Sequence, residues 1–281
     1  MPENSPRLYR AGQGDPLVLV HGFTGTWRMW LPQLADLVTR FDVIAPTLHG
    51  HDGGPPAPEA AHSIGDAADH LESLLDELDV GTAHFAGNSM GGALSLEMAK
   101  RGRARSVVAV SPGGGWEEGD RAETERIIKW FQRTRKLSLA TERRAPRMMR
   151  SPRMRRFGFR DVMCHGELVP PDEAVAMMRS SLRCTVLDDV FATIRSGAAR
   201  VVDLDRIDCP VLLVWGERDR ILPLAKHSNR FRREIPGAEW RLLPGAGHSP
   251  MYDEPGLLTS LIGDFAQRAG ALGEARSAAS A

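Results

Sequence analysis

A serine stands at the centre of the run Gly87-Asn88-Ser89-Met90-Gly91, between an apolar stretch typical of a strand and a stretch with helical spacing. In such a turn the glycines let neighbouring backbone approach closely, and the serine hydroxyl is presented at the edge of a sheet. The N-terminus of the following helix favours negative charge that develops beside it. The pattern predicts a nucleophile at Ser89, with a purely structural strand-to-helix turn as the alternative interpretation.

A serine hydroxyl is a poor nucleophile at neutral pH and needs a base that is oriented by a third group. His248 lies in the glycine-rich loop GAGHSP after the last predicted strand, and we interpret it as the general base rather than a surface histidine. Asp219 follows the preceding strand, in WGERDRILP, where it would bind the imidazole Nδ1–H. Glu217 is the competing carboxylate, and helix capping before Pro223 is the alternative role for Asp219.

The turn His21-Gly22-Phe23 follows the first apolar run of the chain. The backbone N–H groups of Phe23 and Met90 would together form an oxyanion hole beside the serine. A simple glycine turn is the alternative. We expect His21 to shape this loop rather than to take part in the chemistry.

These residues come just after apolar runs, and the runs alternate with segments of helical periodicity. This alternation predicts an α/β fold with a mostly parallel, doubly wound sheet, in which functional residues lie at the carboxyl ends of strands. Ser63 and Asp66 have the spacing of a capping box. The predicted strands are residues 17–20, 41–46, 83–87, 105–110, 210–216 and 239–243. The predicted helices are residues 27–39, 63–78, 91–100, 225–234 and 254–269.

The alternation stops between residues 116 and 205, where the sequence is helical in texture and rich in Arg and Met. We predict that residues 116–205 form a helical cap, or lid, inserted in a core made of residues 1–115 and 206–270. Residues 271–281, with the sequence ALGEARSAASA, are predicted to form a disordered tail after the last helix.

The motifs HGF, APTLHGHDG, GNSMGG, WGERD and GAGHSP occur in this order along the chain. Together they resemble the α/β-hydrolase superfamily over nearly the whole sequence. The resemblance implies the α/β-hydrolase fold, with Ser89, Asp219 and His248 as nucleophile, acid and base. It also implies backbone donors at Phe23 and Met90.

A serine nucleophile argues against the haloalkane dehalogenase and epoxide hydrolase branches of this superfamily, which use aspartate. The GNSMGG string resembles meta-cleavage-product hydrolases, which cut carbon–carbon bonds in vinylogous 1,5-diketones. This chain departs from that group in two places: HGFTGTW replaces the HGxGPG loop, and Ser249 follows His248 where tryptophan is usual.

We therefore predict a serine hydrolase that forms an acyl-enzyme on a small to medium, largely apolar ester, lactone or thioester, as a carboxylesterase does. A carbon–carbon bond hydrolase of the meta-cleavage-product type is the alternative. A non-catalytic, ligand-binding homologue is the alternative from another class. No cofactor and no metal ion is predicted, because no GxxxxGK, HExxH or EF-hand pattern is present.

The cap carries large apolar side chains that could contact a substrate or simply pack on the core. Met residues adapt well to irregular apolar ligands. The candidate substrate-binding residues are Trp116, Trp130, Phe131, Met148 and Met163.

The charges are balanced overall but unevenly distributed. Of 36 Lys and Arg and 36 Asp and Glu, 14 basic and only 3 acidic residues lie between positions 121 and 160, so this segment carries +11 and the remainder −11. We expect the cap to be attracted to the core, with its charged faces solvated or paired.

Zero net charge and the lack of a recognised motif argue against nucleic acid as a partner. The apolar runs are too short for an integral membrane segment. With no apolar signal segment at the start and three scattered cysteines, we expect a cytoplasmic location. A small-molecule substrate is the expected partner, and the oligomeric state is left open.

Overall fold

The computed structural model describes residues 3–57 and 63–280. Within these residues eight strands form a single sheet. The strands are β1 (Glu3–Asn4), β2 (Leu8–Ala11), β3 (Pro16–Val20), β4 (Asp42–Pro46), β5 (Ala83–Asn88), β6 (Ala104–Val110), β7 (Val211–Gly216) and β8 (Glu239–Leu243). Their order across the sheet is β1-β2-β4-β3-β5-β6-β7-β8.

The strands are joined by α-helices and by short 3₁₀ segments. The α-helices are α1 (Leu31–Leu37), α2 (Ile64–Glu77), α3 (Met90–Lys100), α4 (Arg121–Thr141), α5 (Ala145–Met148), α6 (Pro152–Phe159), α7 (Pro171–Arg183), α8 (Leu187–Ser196), α9 (Leu224–Glu234) and α10 (Pro255–Ser280). The 3₁₀ segments are Trp27–Trp30, Glu142–Arg144, Gly166–Leu168 and Leu204–Arg206.

The central strand β3 shows why the sheet must be covered on both sides. Leu17 and Leu19 belong to the apolar core on one face, and Val18 and Val20 belong to the core on the other. Successive side chains of a strand point to opposite faces, so a continuous apolar run is buried only between two layers. Burying each such side chain stabilises the fold by about 1.5–3 kcal/mol.

Helices supply those two layers. The buried faces of α2, α3 and α9 join the core on one side, and those of α1 and α10 join the core on the other. Pairing is parallel from β4 through β3, β5, β6 and β7 to β8. The predicted doubly wound, mostly parallel α/β sheet is therefore confirmed.

The N-terminal part differs from the sequence prediction in two places. The edge strands β1 and β2 run antiparallel and were not predicted, because they are short and only partly buried. The single helix predicted over residues 27–39 is a 3₁₀ turn followed by α1, which begins at a proline-containing first turn. The predicted capping box is present: Ser63 and Asp66 each bind the other's backbone N–H.

Helix α10 is longer than the helix predicted over residues 254–269. Helix α10 continues without a break to Ser280, and residue 281 lies outside the described part of the chain. The segment is rich in alanine, the residue with the highest helix propensity, and it lacks proline. The helix therefore has no local reason to end at residue 270.

Helices α4 to α8 lie between the neighbouring strands β6 and β7. We call residues 116–205 the cap segment. Its apolar side chains do not form a separate core, because Ile127 and Ile128 join the core on one face of the sheet and Met163 and Val175 join the other. No helix in the described residues is long and apolar enough to cross a membrane.

Residues 121–160 are the basic part of the cap segment, and most of their fourteen Lys and Arg side chains are exposed to solvent. In the described residues the ion pairs that its Lys and Arg side chains make are with acids of the cap itself, Glu123, Glu167 and Asp161. Direct pairing of these cations with the acidic core is therefore not how the charge is accommodated. Eleven of the fourteen cations are exposed: Arg121, Lys129, Arg133, Lys136, Arg143, Arg144, Arg147, Arg150, Arg153, Arg156 and Arg160.

Candidate active site

Ser89 occupies a strained turn between β5 and α3. Its backbone has φ 56° and ψ −116°, a conformation that a residue with a side chain rarely adopts. The turn is also crowded: a Cβ atom added to Gly87 would lie 2.1 Å from the carbonyl oxygen of Gly91. One added to Gly91 would lie 2.2 Å from the carbonyl oxygen of Val20. Only glycine therefore fits at both positions. The turn places Ser89 directly after the carboxyl end of β5.

His248 and Asp219 are bonded to each other at the same edge. The imidazole Nδ1–H donates to Asp219 Oδ2 at 2.8 Å, and the two residues are 5% and 6% exposed. The other carboxylate oxygen accepts the backbone N–H groups of Ile221 at 2.9 Å and Leu222 at 2.8 Å. Asp219 thus accepts three hydrogen bonds, which hold its carboxylate in place against the imidazole. The competitor Glu217 is exposed and accepts the N–H of Gly245 instead.

Asn88, directly before the serine, anchors the loop of His248. Its side-chain Nδ2 donates to the backbone carbonyl of His248 at 2.9 Å and to that of Val110 at 3.1 Å. Its Oδ1 accepts the hydroxyl of Ser249 at 3.2 Å. The sequence analysis assigned no role to Asn88. Its position beside Ser89 was the available signal.

The loop that carries Phe23 is held by His21. The buried imidazole donates from Nδ1 to the carbonyl of Gly22 at 2.8 Å and accepts the N–H of Leu48 at Nε2 at 2.9 Å. Burial, with a smaller contribution from His51, lowers the pKa of His21 to about 3. The ring is therefore neutral at physiological pH, as its acceptor role at Nε2 requires.

The expected oxyanion donors lie beside the serine. Phe23 and Met90 both border a cavity that Ser89 also borders. In the described residues the N–H groups of Phe23 and Met90 make no hydrogen bond to another protein group. Both are therefore available to an oxygen atom of a ligand.

Two cavities border the turn that carries Ser89. The narrow cavity, about 280 Å³, is lined mainly by apolar side chains, including Phe23, Leu48, Ile64, Ala67, Leu71, Met90, Trp116, Ile127, Phe131, Val190, Ile194 and Leu222. The wide cavity, about 1400 Å³, is more polar and is lined by residues that include Arg28, Arg126, Lys129, Trp130, Arg133, Leu137, Met148, Met163, Arg183, His248 and Tyr252.

The two cavities meet at Ser89. Phe23, Phe131 and Ile221 also border both, whereas His248 borders only the wide one. All five candidate substrate-binding residues line one cavity or both. Trp116 lines the narrow cavity, Phe131 lines both, and Trp130, Met148 and Met163 line the wide one.

The cap segment is bonded to the loop that carries Asp219. Arg126 of α4 donates to the carbonyl of Ile221, whose N–H binds Asp219. The same guanidinium binds the buried carboxylate of Glu123, which also accepts hydrogen bonds from Lys226 and His227 of α9 at 3.0 Å each. Sequence analysis missed this cluster.

The Glu123 cluster is electrostatically favourable despite being buried. Burial raises the pKa of Glu123, but hydrogen bonds from Arg126, His227 and Lys226 outweigh it and lower the pKa to about 2. Burial is also the main reason why the pKa of His227 is lowered, against the opposing effect of Glu123. Glu123 is therefore ionised at neutral pH, with Arg126 and Lys226 as its cationic partners.

A second set of bonds joins the cap segment to the loop of His248. The buried carboxylate of Asp253 accepts the N–H of Gly247 at 2.8 Å and, from the cap, the N–H groups of Cys164 at 2.9 Å and His165 at 2.7 Å. Ser249 donates its N–H to the carbonyl of Val162 at 2.8 Å. The loops of both Asp219 and His248 are thus anchored to the cap segment.

No group of three or more His, Cys, Asp and Glu side chains in residues 3–57 and 63–280 is arranged to hold a metal ion. The chemistry that the arrangement itself can supply is that of a hydroxyl nucleophile, an imidazole oriented by a carboxylate, and two backbone donors.

Comparison with known proteins decides the family. The sequence profile of the Alpha/beta hydrolase family matches residues 17–260. The chain belongs to the alpha/beta hydrolase family. This alpha/beta hydrolase is 32% identical to epoxide hydrolase EphH of Mycobacterium tuberculosis over 201 residues, which span 70% of this chain and 92% of that protein.

One further relative and one solved structure of another protein are hydrolases as well. This alpha/beta hydrolase is 27% identical to 2-hydroxy-6-oxo-2,4-heptadienoate hydrolase of Pseudomonas putida, with 92% of this chain and 91% of that protein aligned. A thermophilic esterase from Thermogutta terrifontis has the same fold, with a TM-score of 0.69, 24% identity and 93% of each chain covered. The relatives support a hydrolase, and they differ in substrate.

Proposed function

We propose that this alpha/beta hydrolase is a serine hydrolase that forms an acyl-enzyme on a small to medium, largely apolar ester, lactone or thioester. One observation carries the proposal: the strained Ser89 lies where the two cavities meet, and on one of them it is accompanied by His248 bonded to Asp219 at 2.8 Å. A hydroxyl, a base and an orienting carboxylate are the parts that acyl transfer requires.

In the first step Ser89 Oγ attacks the acyl carbon while His248 Nε2 takes its proton. The N–H groups of Phe23 and Met90 stabilise the oxyanion, and Asp219 stabilises the imidazolium. His248 then protonates the leaving oxygen or sulfur as its bond to the acyl carbon breaks. Water, deprotonated by His248, hydrolyses the acyl-enzyme and restores Ser89.

The cavities suggest which way the substrate lies. The leaving atom must be within reach of His248, because His248 is the group that protonates it. Since His248 borders only the wide cavity, the leaving group belongs there, and the acyl group belongs in the narrow cavity. The apolar lining of the narrow cavity then favours an apolar acyl chain of limited length.

Hydrolysis of p-nitrophenyl esters from acetate to palmitate tests the proposal. We expect turnover that is greatest for acyl chains of intermediate length and that is abolished in the Ser89→Ala variant. Ala67→Trp, which fills part of the narrow cavity, should shift the preference to shorter chains. Ala122→Trp is the matched control, because Ala122 is exposed and borders neither cavity. Failure of the purified, folded protein to hydrolyse any of these esters contradicts the proposal.

Carbon–carbon bond hydrolysis is the second candidate. The Pseudomonas putida relative named 2-hydroxy-6-oxo-2,4-heptadienoate hydrolase aligns over 92% of this chain. The turn Gly87–Gly92 also resembles the corresponding turn of meta-cleavage-product hydrolases. Turnover of 2-hydroxy-6-oxo-2,4-heptadienoate without esterase activity would favour it. Epoxide hydrolysis is disfavoured in spite of the relative named epoxide hydrolase, since this chain has Ser89 where that branch uses aspartate.

A further inference from the structure

One face of α4 lines the wide cavity along nearly the whole length of the helix. The lining residues recur at spacings of three and four, so they share one side of the helix. The basic residues of this face lie between Arg126 and Arg133, together with Trp130, and only apolar or hydroxyl side chains follow them. This face includes Arg126, Lys129, Trp130, Arg133, Leu137 and Thr141.

The guanidinium of Arg126 is already bonded within the protein, to Glu123 and to the carbonyl of Ile221. Lys129 and Arg133 differ from it. In the described part of the chain neither makes an ion pair, and both are exposed. Glu125, the acid one turn before Lys129, is held by Arg195 at 2.7 Å.

The acids that line the wide cavity do not neutralise these two cations. Asp52 pairs with Arg183 at 3.4 Å, Glu173 pairs with Arg28, and Asp161 accepts the indole N–H of Trp130 at 3.1 Å. Asp161 also lies 3.9 Å from the guanidinium of Arg160. Glu125 interacts electrostatically with Lys129 but forms its ion pair with Arg195, so Lys129 and Arg133 both border the wide cavity with no ion pair of their own in the described residues.

We propose that Lys129 and Arg133 form a subsite for an anionic group, a carboxylate or a phosphate, in the leaving part of the substrate. The proposal rests on the proposed acyl transfer at Ser89 and on the assignment of the leaving group to the wide cavity. The helix rise of about 1.5 Å per residue sets Lys129 about 4.5 Å, and Arg133 about 10.5 Å, beyond Arg126 along the axis. Side chains on a helix tilt towards its N-terminus, so an anion bound by these two residues lies a short spacer away from the scissile bond.

The proposed acyl transfer to Ser89 then releases one chemical class of product. The bond between the acyl carbon and the leaving oxygen or sulfur breaks, Ser89 Oγ takes the acyl group, and His248 gives the proton to the leaving atom. The released molecule is an alcohol, phenol or thiol that carries the anion. Water then releases the acyl group as a carboxylic acid. No oxidant, metal or further reactant enters this balance.

Two butyrate esters that differ in one charge test the subsite. One has 3-(4-hydroxyphenyl)propionate as its leaving group, and the other has the corresponding neutral amide, so the reacting phenols are nearly equal in reactivity. We expect kcat/KM to favour the carboxylate by about tenfold at low ionic strength, and the preference to fall with added salt. In the double variant Lys129→Met, Arg133→Met the ratio of the two kcat/KM values should approach one.

The control is the double variant Arg121→Met, Lys136→Met, which removes the same charge from α4 at residues that border neither cavity. It should keep the wild-type ratio. Equal kcat/KM for the two esters in the wild type, or an unchanged ratio in the Lys129 and Arg133 variant, overturns the subsite while leaving the proposed hydrolysis intact.

A second readout does not depend on turnover. The free product 3-(4-hydroxyphenyl)propionate should protect the wild type from fluorophosphonate labelling at a lower concentration than its amide does. Equal protection by the two compounds counts against the subsite. Absence of both labelling and hydrolysis contradicts the proposed function itself, and the subsite falls with it.

Discussion

Asn88 binds the backbone carbonyl of His248 through its side-chain Nδ2 at 2.9 Å, although the two residues are 160 positions apart in the chain. Asn88 directly precedes Ser89 in the turn that presents the serine. One buried amide therefore connects the loop of the proposed base to the turn of the proposed nucleophile. The distance between the two reacting groups depends on this connection as well as on the sheet.

Replacing Asn88 should reduce turnover more than it affects binding of the substrate. In Asn88→Ala the loop of His248 loses a buried hydrogen bond, so we expect kcat to fall about 10–100-fold with a smaller change in KM. The measurement is steady-state hydrolysis of the best p-nitrophenyl ester.

Ser249→Ala is the matched control for Asn88, because it removes only the hydroxyl that donates to Asn88 Oδ1 at 3.2 Å. It leaves the bond between Asn88 and His248 in place, and its kcat should stay within about threefold of the wild type. Equal losses in the two variants would mean that the bond to the His248 carbonyl has no special importance.

Glu123 should be important for both stability and turnover. In Glu123→Gln the cluster loses the negative charge that faces Arg126 and Lys226, and because both cations reach solvent we expect a loss of about 1–2 kcal/mol. Arg126 also holds Ile221, whose N–H binds Asp219, so kcat should fall as well. Urea unfolding and ester hydrolysis measure the two effects.

Glu125→Gln is the control for Glu123, since it lies on the same helix but pairs with Arg195 at the surface. We expect its urea midpoint and its kcat to match those of the wild type. If Glu123→Gln behaves in the same way as Glu125→Gln, the cluster does not support the site.

Features of the fold and site that depend on neighbouring residues could be predicted from the sequence, whereas bonds between residues far apart in the chain could not. Strand β3 and the capping box of Ser63 and Asp66 follow from spacing over a few residues, and both were predicted correctly. The end of the last helix was predicted too early, because the small residues after residue 269 were interpreted as a tail, whereas alanine continues α10.

The parts of the candidate site also differ in whether the sequence could predict them. The proximity of Asp219 and His248 could be predicted, because parallel strands bring their carboxyl ends to one edge of the sheet. The bond between Glu123 and Lys226 joins residues 103 positions apart, and the bond between Asp253 and Cys164 joins residues 89 positions apart. Neither has a local pattern, since both depend on how the cap segment packs on the core.

Stability should decrease in mild acid because several histidines are buried in the neutral form. Burial lowers the pKa of His51 and His84 from 6.5 to about 4. Below pH 6.5 the unfolded chain therefore binds more protons than the folded one. The stability that these residues provide is complete above pH 6.5 and is lost as the pH falls towards 4, by about 1.4 kcal/mol per proton and pH unit.

Urea midpoints at pH 7.5, 6 and 5 measure this effect. His84→Gln removes one buried titrating group, so its stability should decrease less steeply with falling pH than that of the wild type. Parallel slopes for the wild type and His84→Gln would contradict the assignment.

Intact-mass analysis after treatment with a fluorophosphonate tests the central claim most directly, because this reagent captures an activated serine. We expect one adduct per chain, located on Ser89 by peptide mapping and absent from Ser89→Ala. Labelling should slow by several orders of magnitude in His248→Gln, whose nucleophile lacks its base. A folded wild-type protein that takes no label, or one that labels equally with Ser89→Ala, would show that Ser89 is not the nucleophile.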